Sequence, residues 1–163
     1  MTPAPSDHLL RTLAAVPPGA RVLDLGCGAG RHTEPVARLG FDVWAVDPDG
    51  AHVEAARARL AAVVGADEAA RRATRGGLDA LGYPDAYADW AVMAPVPDEA
   101  GARAAALAEA ARTLRPGGWI WVEAPSEDGL VAAAERAGLV IAEEPAEDAG
   151  AVHAVFRRPG AVR

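Results

Sequence analysis

The chain has 163 residues, 51% of them hydrophobic, and a net charge of −7. That length supplies one ordinary core and falls short of two, and the mixed composition excludes a disordered or low-complexity chain. The absence of a basic run argues against a dedicated nucleic-acid binder; no apolar run is long enough to span a bilayer, and the single cysteine excludes an internal disulfide or a multi-cysteine zinc site.

The N-terminus is polar and Pro-containing, without the layout of a signal peptide, so a cytoplasmic location is expected. Ser6 is placed to cap a helix over Asp7 to Ala15 with Leu9, Leu10 and Leu13 on one face, stopped by Pro17-Pro18-Gly19. Arg21 to Leu25 reads as a short buried strand that runs into Gly26-Cys27-Gly28-Ala29-Gly30. A helix starts at Thr33-Glu34-Pro35 and ends near Leu39-Gly40. Asp42 to Asp47 is a second buried strand, followed by an Ala-rich helix from about Ala51 to Val64. Asp67 to Arg75 is expected to continue as helix into a short strand near Ala73.

Asp89 to Met93 reads as a fourth strand and Glu99 to Leu114 as a helix. Pro116-Gly117-Gly118 is expected to turn into a fifth strand, Trp119 to Glu123. Ser126 is expected to cap a helix reaching Ala137. Two last strands, Leu139 to Glu144 and Ala151 to Phe156, joined by a polar loop, form a hairpin pattern. Strand–helix alternation from end to end implies a mainly parallel sheet covered on both faces, in one domain over 1–163, with an antiparallel edge.

The glycine loop carries the chemistry. Glycines between a strand and a helix let the backbone turn tightly and approach a ligand closely. The dinucleotide fingerprint does not fit, because from Gly26 its third glycine position holds Arg31 and from Gly28 it holds Thr33. A P-loop does not fit either, since no Gly-Lys-Ser/Thr follows. Asp24, two residues ahead of Gly26, suits a cationic group such as an ammonium or sulfonium. Asp47 closes the second strand, where an acidic residue meets ribose hydroxyls in nucleoside-binding α/β folds, and a carboxylate accepts two hydrogen bonds from a vicinal diol.

At these residues the chain resembles the class I S-adenosylmethionine-dependent methyltransferases. Val22 to His32 (VLDLGCGAGRH) is similar to their first motif and Val46-Asp47-Pro48 to their ribose-binding segment. Leu81 to Asp89 resembles the approach to their fourth strand, and Ala111 to Gly118 the segment leading into their fifth. The resemblance implies an α/β, Rossmann-like three-layer sandwich: a mainly parallel seven-stranded sheet with an antiparallel last strand. It implies S-adenosylmethionine as cofactor, S-adenosylhomocysteine as product, and cofactor contacts at Asp24, Gly26, Cys27, Gly28, Gly30, Asp47, Pro48 and Met93. Near the adenine it places Gly77 and Leu78, with Asp79 two residues later than the family's acid.

The same alignment leaves a short segment after Met93 and a minimal or missing substrate lid. No residue pair demands a catalytic role and no spacing among His8, His52 and His153 suggests a metal. His32 is weighed between a general base and a capping or surface residue; Cys27 reads as a small buried loop residue, the four tryptophans as core, and Tyr83 and Tyr87 as loop aromatics near the adenine edge. The expected activity is methyl transfer to a small-molecule acceptor, with homodimerisation left open. The alternative is a non-catalytic module that binds S-adenosylmethionine or S-adenosylhomocysteine.

Overall fold

A computed structural model describes residues 3–160. Two compact units make up the chain, Met1–Gly77 and Leu78–Arg163, and the described residues contribute seven strands to a mixed sheet. Among the described residues, no helix is long and apolar enough to cross a membrane.

The first unit holds α1 (Asp7–Ala14), β1 (Arg21–Leu25), α2 (Thr33–Arg38), β2 (Asp42–Asp47), α3 (Gly50–Val64), α4 (Ala66–Arg72) and β3 (Ala73–Arg75). Ser6 caps α1, its hydroxyl accepting the Leu9 N–H, and Leu9 and Leu13 are fully buried on one face. Each such leucine contributes about 2 kcal/mol by leaving water. β1 pairs in parallel with β2, and β2 with β3. Four consecutive residues of β1, Val22 to Leu25, are buried, as expected of a parallel strand covered on both faces. The long helical stretch divides at Gly65, whose φ of 90° lies outside the helical range and separates α3 from α4.

The second unit holds β4 (Ala88–Met93), α5 (Ala100–Thr113), β5 (Leu114–Ala124), α6 (Leu130–Arg136), β6 (Val140–Asp148) and β7 (Ala151–Arg157). β4 and β5 are parallel; β7 runs antiparallel to both β5 and β6. The expected turn at Pro116-Gly117-Gly118 lies inside β5 as a bulge. Ala88 pairs with Leu114 but Trp90 with Trp119, and the slack is held by Gly117 N–H to Arg158 O and Arg158 N–H to Gly118 O. Ser126 does not cap the next helix. Its hydroxyl accepts the Asp128 N–H in a local turn, and α6 begins at Leu130 after Gly129, whose left-handed φ of 70° ends that turn.

The last hairpin is tighter than its polar sequence suggests. β6 and β7 meet at Ala149-Gly150, with φ of 52° and 82°, the two-residue turn whose twist matches antiparallel strands. β6 is mostly exposed and carries Glu143, Glu144, Pro145, Glu147 and Asp148, a charged, proline-interrupted edge of the kind that resists strand addition. Trp121 is fully buried and Trp90 nearly so, whereas Trp44 and Trp119 are half-buried.

Candidate functional site

Gly26, Gly28 and Gly30 all have positive φ, at 76°, 53° and 92°, conformations that side chains other than glycine's adopt at a cost. The loop is tied to β2 by the Gly26 and Cys27 N–H groups, both donating to Val46 O at 2.8 and 3.0 Å. A Cβ on Gly30 would lie 3.1 Å from the Ala56 Cα of α3, whereas one on Gly28 would meet nothing within 4 Å. Gly30 is therefore needed for close packing, and Gly28 faces open space.

Asp47 is buried, and three donors converge on it. Gly28 N–H donates to Oδ2 at 2.9 Å; Asp49 N–H and the His52 ring reach Oδ1 at 2.9 and 3.2 Å. The end of β3 joins the same corner, with Gly76 N–H on Asp47 O at 3.1 Å and the Arg75 guanidinium on Pro48 O at 3.0 Å. Asp24 is buried at the end of β1 and accepts the Thr33 hydroxyl at 2.6 Å. Burial raises its carboxyl to about 6, against the opposing Thr33 hydrogen bond. A cation beside it would restore the charged form.

Cys27 packs among Ala45, Val53, Ala56 and Ala73. Burial raises its thiol, and the nearby Asp24 and Asp47 raise it further, which suits a packing residue and not a nucleophile. His32 is neither a side-chain cap nor a surface residue. It is 4% exposed and makes no cap hydrogen bond to α2; its Nε2 accepts the Ser6 N–H at 3.1 Å. Burial and the Arg31 charge lower its pKa to about 3. With that lone pair engaged, His32 pins the chain before α1 to the glycine loop and is removed as a general base.

Of the other expected positions, Gly77 and Leu78 are half-buried, Asp79 is exposed and Met93 is fully buried at the end of β4. Tyr83 and Tyr87 stack on each other with ring centroids 5.5 Å apart. Their loop is held by Leu81 N–H on Glu109 and by Arg112, which reaches Asp85 and Leu81 O. The second unit also contains a cavity of about 520 Å³. Its walls include Val96, Pro97 and Asp98 after β4, Glu123 and Ala124 from β5, and Ala151 from β7.

Two residues at these places escaped sequence reading. His52 falls five residues beyond Asp47, on a helix whose spacing gives no reason to single it out. Arg103 lies buried in α5 and donates to the carbonyls of Pro97, Asp98 and Asp128. An arginine in the first turns of that alanine-rich helix was the available signal.

The fold and the loop together define a nucleoside-binding α/β protein with methyltransferase topology. The sequence model described as "Methyltransferase domain" matches residues 23–122, more than half of the chain, and the chain belongs to this family of class I S-adenosylmethionine-dependent methyltransferases. The match runs through both units. A methyltransferase of Methanosarcina mazei superposes with a TM-score of 0.75 at 13% identity, over 96% of this chain and 100% of that one. This likeness establishes the Rossmann-like fold, a seven-stranded mixed sheet with an antiparallel last strand. The mitochondrial ubiquinone biosynthesis O-methyltransferase of Bos taurus is 43% identical over 31% of this chain and 15% of its own length. The corresponding enzyme of Xanthomonas campestris pv. campestris is 32% identical over 75% of this chain and 49% of its own. The chain thus spans less than half the length of these two curated relatives. The family's cofactor is S-adenosylmethionine and its product S-adenosylhomocysteine.

Proposed function

We propose that the chain transfers the methyl group of S-adenosylmethionine to a small-molecule acceptor, at an oxygen. The observation that carries this reading is the glycine loop held open at Gly28 between two buried carboxylates, Asp24 and Asp47. The named activity of the O-methyltransferase relatives supports oxygen as the target. A cavity of about 520 Å³ is within the usual range for small ligands, and its walls, which join proline, valine and alanine to Asp98 and Glu123, suit an acceptor with an apolar body and a polar group.

When bound, the sulfonium supplies an activated methyl carbon. The chain's own part is to bind and orient. Asp47 accepts from the ribose diol, Asp24 balances the ammonium, Gly28 leaves room for close approach, and Cys27 and Pro48 shape the loop around them. The family resemblance assigns Gly77, Leu78 and Asp79 to the adenine and Met93 to the cofactor. The cavity of the second unit receives the acceptor. Alignment of this kind is worth roughly 7–11 kcal/mol.

Calorimetric titration with S-adenosylhomocysteine, with NADH as control, tests the cofactor assignment. Affinity on the order of micromolar for the first, with no heat from the second, supports it; a folded protein that binds neither overturns it. A screen of phenolic and alcoholic acceptors, read by release of S-adenosylhomocysteine, tests transfer. Binding without turnover would favour the non-catalytic module.

A further inference from the structure

The contact between His52 and Asp47 has a consequence for cofactor binding. Asp47 Oδ1 carries both the Asp49 N–H and the His52 ring nitrogen, at 2.9 and 3.2 Å, while Oδ2 carries only the Gly28 N–H at 2.9 Å. A carboxylate offers about four acceptor positions, two on each oxygen. Both positions of Oδ1 are therefore taken and one remains on Oδ2. A carboxylate only accepts, so His52 Nδ1 must be the donor. A vicinal diol that engages both oxygens needs one position on each, and on Oδ1 one of the two present donors must give way.

Asp49 N–H cannot move away, because it belongs to the backbone at the start of α3, where the Asp49 side chain also caps the helix through the Ala51 and His52 N–H groups. The His52 side chain can. It is 51% exposed, and its second acidic neighbour, Asp49, lies 3.9 Å away, ready to receive the ring when it leaves Asp47.

We propose that His52 is a gate on the ribose site: its imidazole occupies the Oδ1 position that a cofactor hydroxyl requires and is displaced when the cofactor binds. The inference rests on the reading of Asp47 as the ribose-binding carboxylate. It makes His52 a residue that opposes cofactor binding, and removing its side chain strengthens the complex.

The test is calorimetric titration of S-adenosylhomocysteine into the wild type, His52→Ala and His52→Gln. A hydrogen bond at a half-exposed site is worth about one kcal/mol, so His52→Ala is expected to bind about three- to tenfold tighter. His52→Gln keeps an N–H donor of similar reach and is expected to stay nearer the wild type. A residue that merely supported the fold would weaken binding when removed. Equal or weaker binding by His52→Ala, with its thermal midpoint unchanged, overturns the gate and leaves the cofactor assignment standing. No binding by the folded wild type overturns the cofactor assignment itself, and the gate with it.

Discussion

The Asp47 carboxylate accepts the Gly28 N–H at 2.9 Å, so the residue that closes β2 also fixes the middle of the glycine loop. One side chain thereby sets both the shape of the loop and the acceptor that faces its open side. Asp47→Asn keeps an oxygen for Gly28 but loses the charge, and it is expected to bind S-adenosylhomocysteine at least about tenfold more weakly, since hydrogen bonds to charged groups contribute roughly 1.5–3 kcal/mol. Calorimetry against the wild type measures this, with thermal melting as the control for folding.

Alanine at Gly28 and at Gly30 should fail in different ways. At Gly30 (φ 92°) the new Cβ meets Ala56 Cα at 3.1 Å, so strain and overlap together are expected to cost about 2–4 kcal/mol in urea denaturation. At Gly28 (φ 53°) the new Cβ meets nothing. Its folding cost is about 1 kcal/mol, but under the proposed function the methyl would stand where the cofactor approaches, and binding is expected to fall well beyond what that cost explains. Equal losses of stability in the two variants would refute the distinction.

Asp24 should be a stability liability at neutral pH. Its carboxyl is raised from 3.8 to about 6 in the folded chain, so the native state holds a proton that the unfolded chain has released. Stability is thus lost as pH rises from about 4 through 6. Asp24→Asn removes that loss and is expected to be up to about 3 kcal/mol more stable than the wild type at pH 7.5, with the gap closing below pH 4. The same variant loses its charge toward a cationic ligand and should bind S-adenosylmethionine more weakly. Denaturation at several pH values checks the first part and calorimetry the second.

His32 works in the opposite sense. Its pKa is lowered from 6.5 to about 3, so its contribution is complete above about 6.5 and drains away as the pH falls toward 3, because the unfolded ring takes up a proton that the buried one refuses. His32→Gln retains an acceptor for the Ser6 N–H without titrating. Its stability is expected to fall less steeply than the wild type's between pH 6.5 and 3. Parallel acid limbs in the two proteins would show that the ring does not drive this loss.

Arg103 holds two loops at once, donating to Pro97 and Asp98 on one and to Asp128 on the other. Arg103→Met preserves the aliphatic stem and leaves those carbonyls without their donor, at an expected cost of roughly 3 kcal/mol. Hydrogen exchange should rise in residues 94–99 and 125–129, around the cavity, while S-adenosylhomocysteine affinity stays within about threefold, the Gly28 loop being untouched.

The strands and the glycine loop were legible in the sequence because their signals are local. β1 and β2 were bounded correctly from short apolar runs, and the turn at Gly26 to Gly30 from glycines, which adopt positive φ at the least cost. The misreadings at Pro116 to Gly118 and at Ser126 share one cause. Turn-forming residues mark a change of direction without saying whether the chain leaves the sheet, and here backbone hydrogen bonds to Arg158 kept one such turn within β5.

Sequence by itself determined the family, the order of the elements and the positions of Asp24 and Asp47, since each follows from neighbours a few residues apart. Only the tertiary structure decided what those residues touch. His32 meets Ser6 across 26 positions, Asp47 meets Gly28 across 19, and Arg103 meets Asp128 across 25. Such pairings depend on how strands and helices pack, and each reflects the need of a buried donor or acceptor for a partner that no local pattern names.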